Sequence, residues 1–157
     1  MGAVCTVAWS RSQADTPQEK QAISAPTTHH QIYRVIDGST IELENGEEVT
    51  LCGVDASEDK KLKREATQNL QKLIDAAGGK VIVAEHDRDQ HDRIVGEVFV
   101  PIPNSQEEKL LNYEQVRAGL LDEDKQTSNQ CLNGAVLADA RSLAQAERKG
   151  IWQQWKN

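Results

Sequence analysis

Asn45-Gly46 separates two short runs, TIEL (40–43) and EVTLCGV (48–54), in which apolar residues recur among polar ones. Both residues of the pair tolerate positive φ, so together they predict a tight hairpin, and a hairpin commits this part of the chain to antiparallel sheet. The preceding run QIYRVID carries Ile32, Val35 and Ile36 and ends at the turn Asp37-Gly38-Ser39, which makes a three-strand meander. Two more runs, KVIVAE and IVGEVFV, read as strands joined by the polar stretch HDRDQHDR, with Pro101 and Pro103 ending the second. Five strands are therefore predicted.

Helical spacing appears between and after them. Ala66, Leu70, Leu73, Ile74 and Ala77 form one apolar stripe that Gly78-Gly79 terminates. A short helix is predicted around LLNYEQVRA, stopped by Gly119, and a longer one with Leu132, Val136, Ala140, Leu143 and Ala144 on its inner face, stopped by Gly150. Ile151 and Trp152 are expected to return to the core, while Trp155 stays open between core and surface. Five strands, one helix after the third and two at the end predict an α+β fold: a five-stranded OB-fold Greek-key β-barrel with three α-helices.

The chain's 157 residues suit one domain. Residues 1–30 are expected to be a flexible leader, because the segment 11–30 is rich in Ser, Thr, Gln and Pro and has no apolar period; residues 31–157 form the domain. His29 and His30 then belong to a solvated linker. The apolar run GAVCTVAWS (2–10) looks like the remnant of a secretory signal but has no basic segment before it, so cytoplasmic and exported readings both stand. No apolar run approaches the roughly 18 residues of a membrane helix, so no membrane partner is expected.

Charge and cysteine narrow the chemistry. A net charge of -7 and a pI near 5.1 argue against broad affinity for polyanions and leave a local basic groove as the route to nucleic acid. The three cysteines, Cys5, Cys52 and Cys131, have no CxxC spacing and are expected to be buried free thiols. LCGVDASEDK places Asp55 and Glu58 three residues apart in a small-residue loop after a strand. That pair is either a metal ligand and a general base or the solvated mouth of a loop. EHDRDQHDR offers His86, Asp87, Asp89, His91 and Asp92 as mixed metal ligands, and His91 beside Arg93 as a substitute base; a charged hairpin tip has the same composition.

Five segments occur in the order and spacing of one family: YRVIDGSTIEL, VTLCGVDASE, DQHDRIVGEVFV, LLNYEQVRAGL and AERKGIW. From about Gln31 to Trp152 the chain resembles the staphylococcal nucleases. The resemblance implies an OB barrel with three helices and calcium-dependent cleavage of DNA and RNA. In that chemistry two Asp side chains help hold the ion against the scissile phosphate, a Glu activates or orients water, and two Arg side chains neutralise the transition state.

Carried over by motif, Asp55 corresponds to the second metal-binding Asp, Glu58 to the general base and Arg93 to one phosphate-binding Arg, with Asp89 matching the motif's Asp. The family's Asp-Gly-Asp-Thr is Asp37-Gly38-Ser39-Thr40 here, so Ser39 replaces a carboxylate. The strand Arg is Thr50, the Pro before the Glu is Ser57, and Tyr-Gly before Arg93 is His91-Asp92. Asp122, Glu123 and Asp124 stand where the family carries a Tyr-rich segment. The resemblance thus implies a weakened calcium site of Asp55, Asp37 and Ser39, with Glu58 and Arg93 as catalytic residues. It also implies low-affinity nucleic-acid binding, weak or lost hydrolysis, and a monomer. The alternative is a non-catalytic OB module for a protein partner or a single strand.

Overall fold

The computed structural model describes residues 26–153. Eight strands occur among them: β1 (Thr27–Val35), β2 (Thr40–Leu43), β3 (Glu48–Leu51), β4 (Val54–Ala56), β5 (Lys80–Arg88), β6 (Ile94–Pro101), β7 (Glu108–Leu110) and β8 (Leu121–Glu123). The helices are α1 (Lys60–Ala76), α2 (Leu111–Arg117) and α3 (Gly134–Ala146), with short 3-10 turns at Ser128–Gln130 and Gly150–Trp152. Strand order β3-β2-β1-β5-β6 closes on itself because β3 also pairs with β6 in parallel, Val49 opposite Ile94 and Leu51 opposite Gly96. This is the predicted five-stranded barrel. The sequence pattern missed β7, which extends the sheet beyond β6, and the separate ribbon of β4 with β8; the run EVTLCGV, expected as one strand, is broken at Cys52-Gly53 into β3 and β4.

Closure needs strands that bend around two neighbours. The register shifts between Ile32 and Arg34 in β1 and between Glu85 and Asp87 in β5 supply that curvature. β1 begins at Thr27, ahead of the expected Gln31, because Thr27 to Gln31 pair with Ala84 to Lys80 of β5. The ladder overrides the polarity of TTHH, and His29 and His30 stand on a strand rather than in a linker.

Ile41, Leu43, Val49, Val81, Val83 and Val98 belong to one core with Leu70 and Ile74 of α1 and Leu111 and Val116 of α2. The α1 stripe is as predicted, with Ala66, Leu70 and Ile74 buried. The α3 stripe is rotated from expectation. Gly134, Leu137, Ala140 and Ala144 face inward, whereas Leu132, Val136 and Leu143 are exposed. Small residues at the buried positions let α3 approach closely, an arrangement that a search for large apolar side chains misses. Trp152 is buried, with the Arg141 guanidinium 4.9 Å from its ring centroid. Trp155 and Cys5 lie outside the described residues.

Cys52 and Cys131 form a disulfide across 79 positions of sequence, with Cα atoms 6.1 Å apart. This corrects the expectation of free thiols: the barrel brings the end of β3 against the turn before α3, a proximity that spacing alone cannot reveal. Gly53 permits it, since a Cβ there would stand 2.9 Å from Cys131 Sγ, and its φ of +73° disfavours a side chain anyway. Beside the bridge Glu97, 2% exposed, accepts hydrogen bonds from the Asn133 backbone N–H at 2.5 Å and from Asn133 Nδ2 at 2.6 Å. Cross-linking a loop of this length should stabilise the fold by about 4 kcal/mol. Cys52→Ala/Cys131→Ala is therefore expected to melt on the order of 15 °C lower than the oxidised protein; equal melting temperatures would show that the bridge contributes nothing.

Candidate functional site

The turn between β1 and β2 is shaped by its own side chains. Asp37 Oδ1 accepts hydrogen bonds from the Ser39 backbone N–H at 2.8 Å and from Ser39 Oγ at 3.1 Å. Gly38 lets this turn press on α1, for a Cβ there would collide with Ala66. Gln115 of α2, fully buried, locks the contact: its Nε2 donates to Gly38 O at 2.6 Å and to Ala66 O at 2.9 Å, and its Oε1 accepts from Asn69 Nδ2 at 2.7 Å. Asn112, one turn earlier, donates to Cys52 O at 2.9 Å and accepts from Val98 N at 3.1 Å.

These contacts frame a cavity of about 190 Å3 lined by Asp37, Ser39, Ala56, Ser57, Lys63 and Leu121, among others. Asp55 and Glu58 flank the Ala56-Ser57 pair in sequence. Asp55 lies on β4 directly opposite Asp122 of β8. Two like charges so placed repel, and Arg141 offsets this by donating from Nε to Asp122 Oδ1 at 2.7 Å. Glu58 is exposed and receives the Lys63 ammonium at 2.9 Å. Asp59 caps α1 by accepting from the backbone N–H groups of Lys61 and Leu62, which fixes the start of the helix that carries Lys63.

Arg93 lies elsewhere. With Glu47, Glu48, Arg88, His91 and Asp92 it lines a recess of about 500 Å3, and its Nε donates to Asp89 Oδ2 at 2.7 Å. Desolvation pushes the Asp89 carboxyl up, but the backbone N–H groups of Arg93 and His91 together with the Arg93 guanidinium outweigh it and hold the group below the usual carboxylate range. Arg88 in the same recess is spent on Glu47 at 2.8 Å and Glu85 at 3.1 Å. Thr50, where the resemblance expects Arg, sits between Thr40 and Val95, and its Oγ1 is buried with no hydrogen-bond partner among the described residues.

Calcium takes about six to eight oxygen ligands. Among the described residues no three His, Cys, Asp or Glu side chains converge on one ion, in the Asp37–Ser39 turn, at Asp55 or in the His86–Asp92 segment. Asp37 is engaged by Ser39 and Glu58 by Lys63, so the donor set present does not fit a preformed calcium cage.

The barrel and its three helices define an OB-type α+β domain, and comparison with known proteins gives its family. The family model of the staphylococcal nuclease homologues matches residues 48–154, and the chain belongs to that family. It is 30% identical over 128 residues to an uncharacterized endonuclease of Escherichia coli, covering 79% of this chain and 76% of the relative. Similarity to an uncharacterized endonuclease of Escherichia coli O157:H7 is 29% over the same length.

Neither Lys63 nor Gln115 is singled out by any motif in the chain; only the packing shows that Lys63 lines the cavity and that Gln115 frames it. Gln115→Leu would leave Gly38 O and the Asn69 amide without these partners and remove the second donor to Ala66 O, at a cost of about 2 to 4 kcal/mol. The expected result in a denaturant melt is a lower midpoint with an unchanged slope, and an unchanged midpoint would deny Gln115 this framing role.

Proposed function

We propose that this domain binds the phosphodiester backbone of DNA or RNA and hydrolyses it only weakly, with Glu58 as the residue that orients water and Arg93 as the remaining guanidinium of the family's pair. The observation that carries this reading is the pairing of Glu58 with Lys63 at 2.9 Å in a site whose other expected partners are Ser39 and Thr50. A carboxylate that can accept a proton survives. The oriented charges that would stabilise the transition state are reduced, and losing one such donor typically lowers a rate by about a hundred- to a thousand-fold.

Family membership and the endonuclease names of the relatives support nucleic acid as the substrate class. A calcium ion in the family's position would be held by Asp55, Asp37 and Ser39, of which only the two Asp carry charge, and Asp37 Oδ1 already accepts two hydrogen bonds from Ser39. A second reading, a binding module that has lost cleavage altogether, is favoured by one observation: Arg93 lines a different recess from the one beside Glu58.

The two readings separate in an assay on denatured DNA and on RNA with calcium, manganese or EDTA. Weak cleavage that Glu58→Gln abolishes is expected. Ser39→Asp/Thr50→Arg should raise the calcium-dependent rate by on the order of a hundredfold, with Ser39→Asp alone as the milder form where the double variant is unstable. Rapid cleavage by the unaltered protein would contradict the depleted site, and no cleavage by any form would favour the binding module.

A further inference from the structure

The start of α1 breaks a rule of helix stability. Lys60, Lys61, Lys63 and Arg64 crowd its first five positions, and the first turn holds no acidic residue. The positive end of a helix dipole favours acids, so four cations there cost stability that a neutral or acidic turn would not. Local violations of this kind concentrate at functional sites. All four residues are exposed.

Two of the four cations have carboxylate partners, and the carboxylates of Asp59 at the helix start and of Asp37 in the cavity wall stand nearby. Asp59 is engaged by backbone N–H groups, Lys61 meets Glu65 at 3.7 Å, and Lys63 meets Glu58 at 2.9 Å. Among the described residues neither Lys60 nor Arg64 forms an ion pair. The Glu58 side chain is 95% exposed, so its bond to Lys63 is a surface ion pair of small worth, and a phosphate can replace it at little cost. The cavity beside Lys63 adds a hydroxyl: Ser57 Oγ accepts from Asp59 N at 3.1 Å and keeps its own proton for another acceptor.

Resting on the nucleic-acid reading above, we propose that Lys63 anchors one backbone phosphate at the Ser39–Ser57 cavity without a divalent ion, and that Lys60, Lys61 and Arg64 carry the neighbouring phosphates of a single strand across the first turn of α1. The ammonium supplies at this cavity the positive charge that the family draws from metal and strand Arg. Between Glu58 and Glu65 four cations stand against three carboxylates, a small local excess of positive charge in a chain of net charge -7.

The test is fluorescence anisotropy of a labelled oligothymidylate of about twelve nucleotides, in EDTA and in calcium, across a salt series. Unaltered protein should bind equally in both, with a log–log salt slope near -3 if all four cations take part, by the roughly -0.7 per contact of single strands. Lys63→Ala should weaken binding by about tenfold and flatten the slope by about 0.7, while Lys63→Arg retains both. Melting temperatures establish that each variant is folded. Binding that requires calcium, or that is indifferent to Lys63→Ala, overturns the proposal and leaves the nucleic-acid reading standing. Where no oligonucleotide binds, inorganic phosphate decides. A phosphate-dependent rise in melting temperature that Lys63→Ala removes would retain the anion site and reject nucleic acid as its ligand, whereas no such rise rejects both.

Discussion

Asn112 holds the seam on which the barrel depends. β3 and β6 run parallel only from Val49 to Leu51, and at the end of that short ladder Cys52 N still donates to Gly96 O at 2.8 Å. Asn112, 1% exposed, continues the seam with its side chain, donating to Cys52 O just past β3 and to Gly96 O of β6 and accepting from Val98 N of β6. A buried amide with its donors and acceptor satisfied substitutes for a strand ladder that has run out. The disulfide from Cys52 and the Glu97–Asn133 bonds fasten α3 to the same place. Everything beyond the seam, including β4 and the Asp55–Glu58 loop, leaves from this anchored point.

How much of this could be read from the chain depends on how local each cause is. The hairpin at Asn45-Gly46 and the α1 stripe rest on contacts within a few residues, and both are legible. The α3 face, β1's first four residues, and the β4–β8 ribbon are set by partners distant in sequence: small residues against the core, the β5 ladder, and a strand nearly seventy positions away. The disulfide belongs to the same class. So does Gln115, whose three bonds reach Gly38, Ala66 and Asn69.

The candidate site divides the same way. Family resemblance places Asp37, Ser39, Asp55, Glu58 and Arg93 in the sequence, and all but Asp55, the middle residue of β4, are on turns or loops. What it cannot give is their pairing in space. Asp37 closes its own turn, Asp55 opposes Asp122, Glu58 meets Lys63, and Arg93 is tied to Asp89 beside a different recess. The loss of Arg at Thr50 is visible in the chain, whereas the cationic turn that stands beside the cavity emerges only once Asp59 is seen to start α1 there.

The central claim is that positive charge for the phosphate has moved from ion and strand to the first turn of α1. Amide chemical-shift mapping of the isotope-labelled protein against an oligothymidylate in EDTA tests it most directly. The account predicts perturbations centred on residues 38–40, 56–58 and 60–64. Perturbations confined to the Arg88–Arg93 recess, or appearing only after calcium is added, would contradict it.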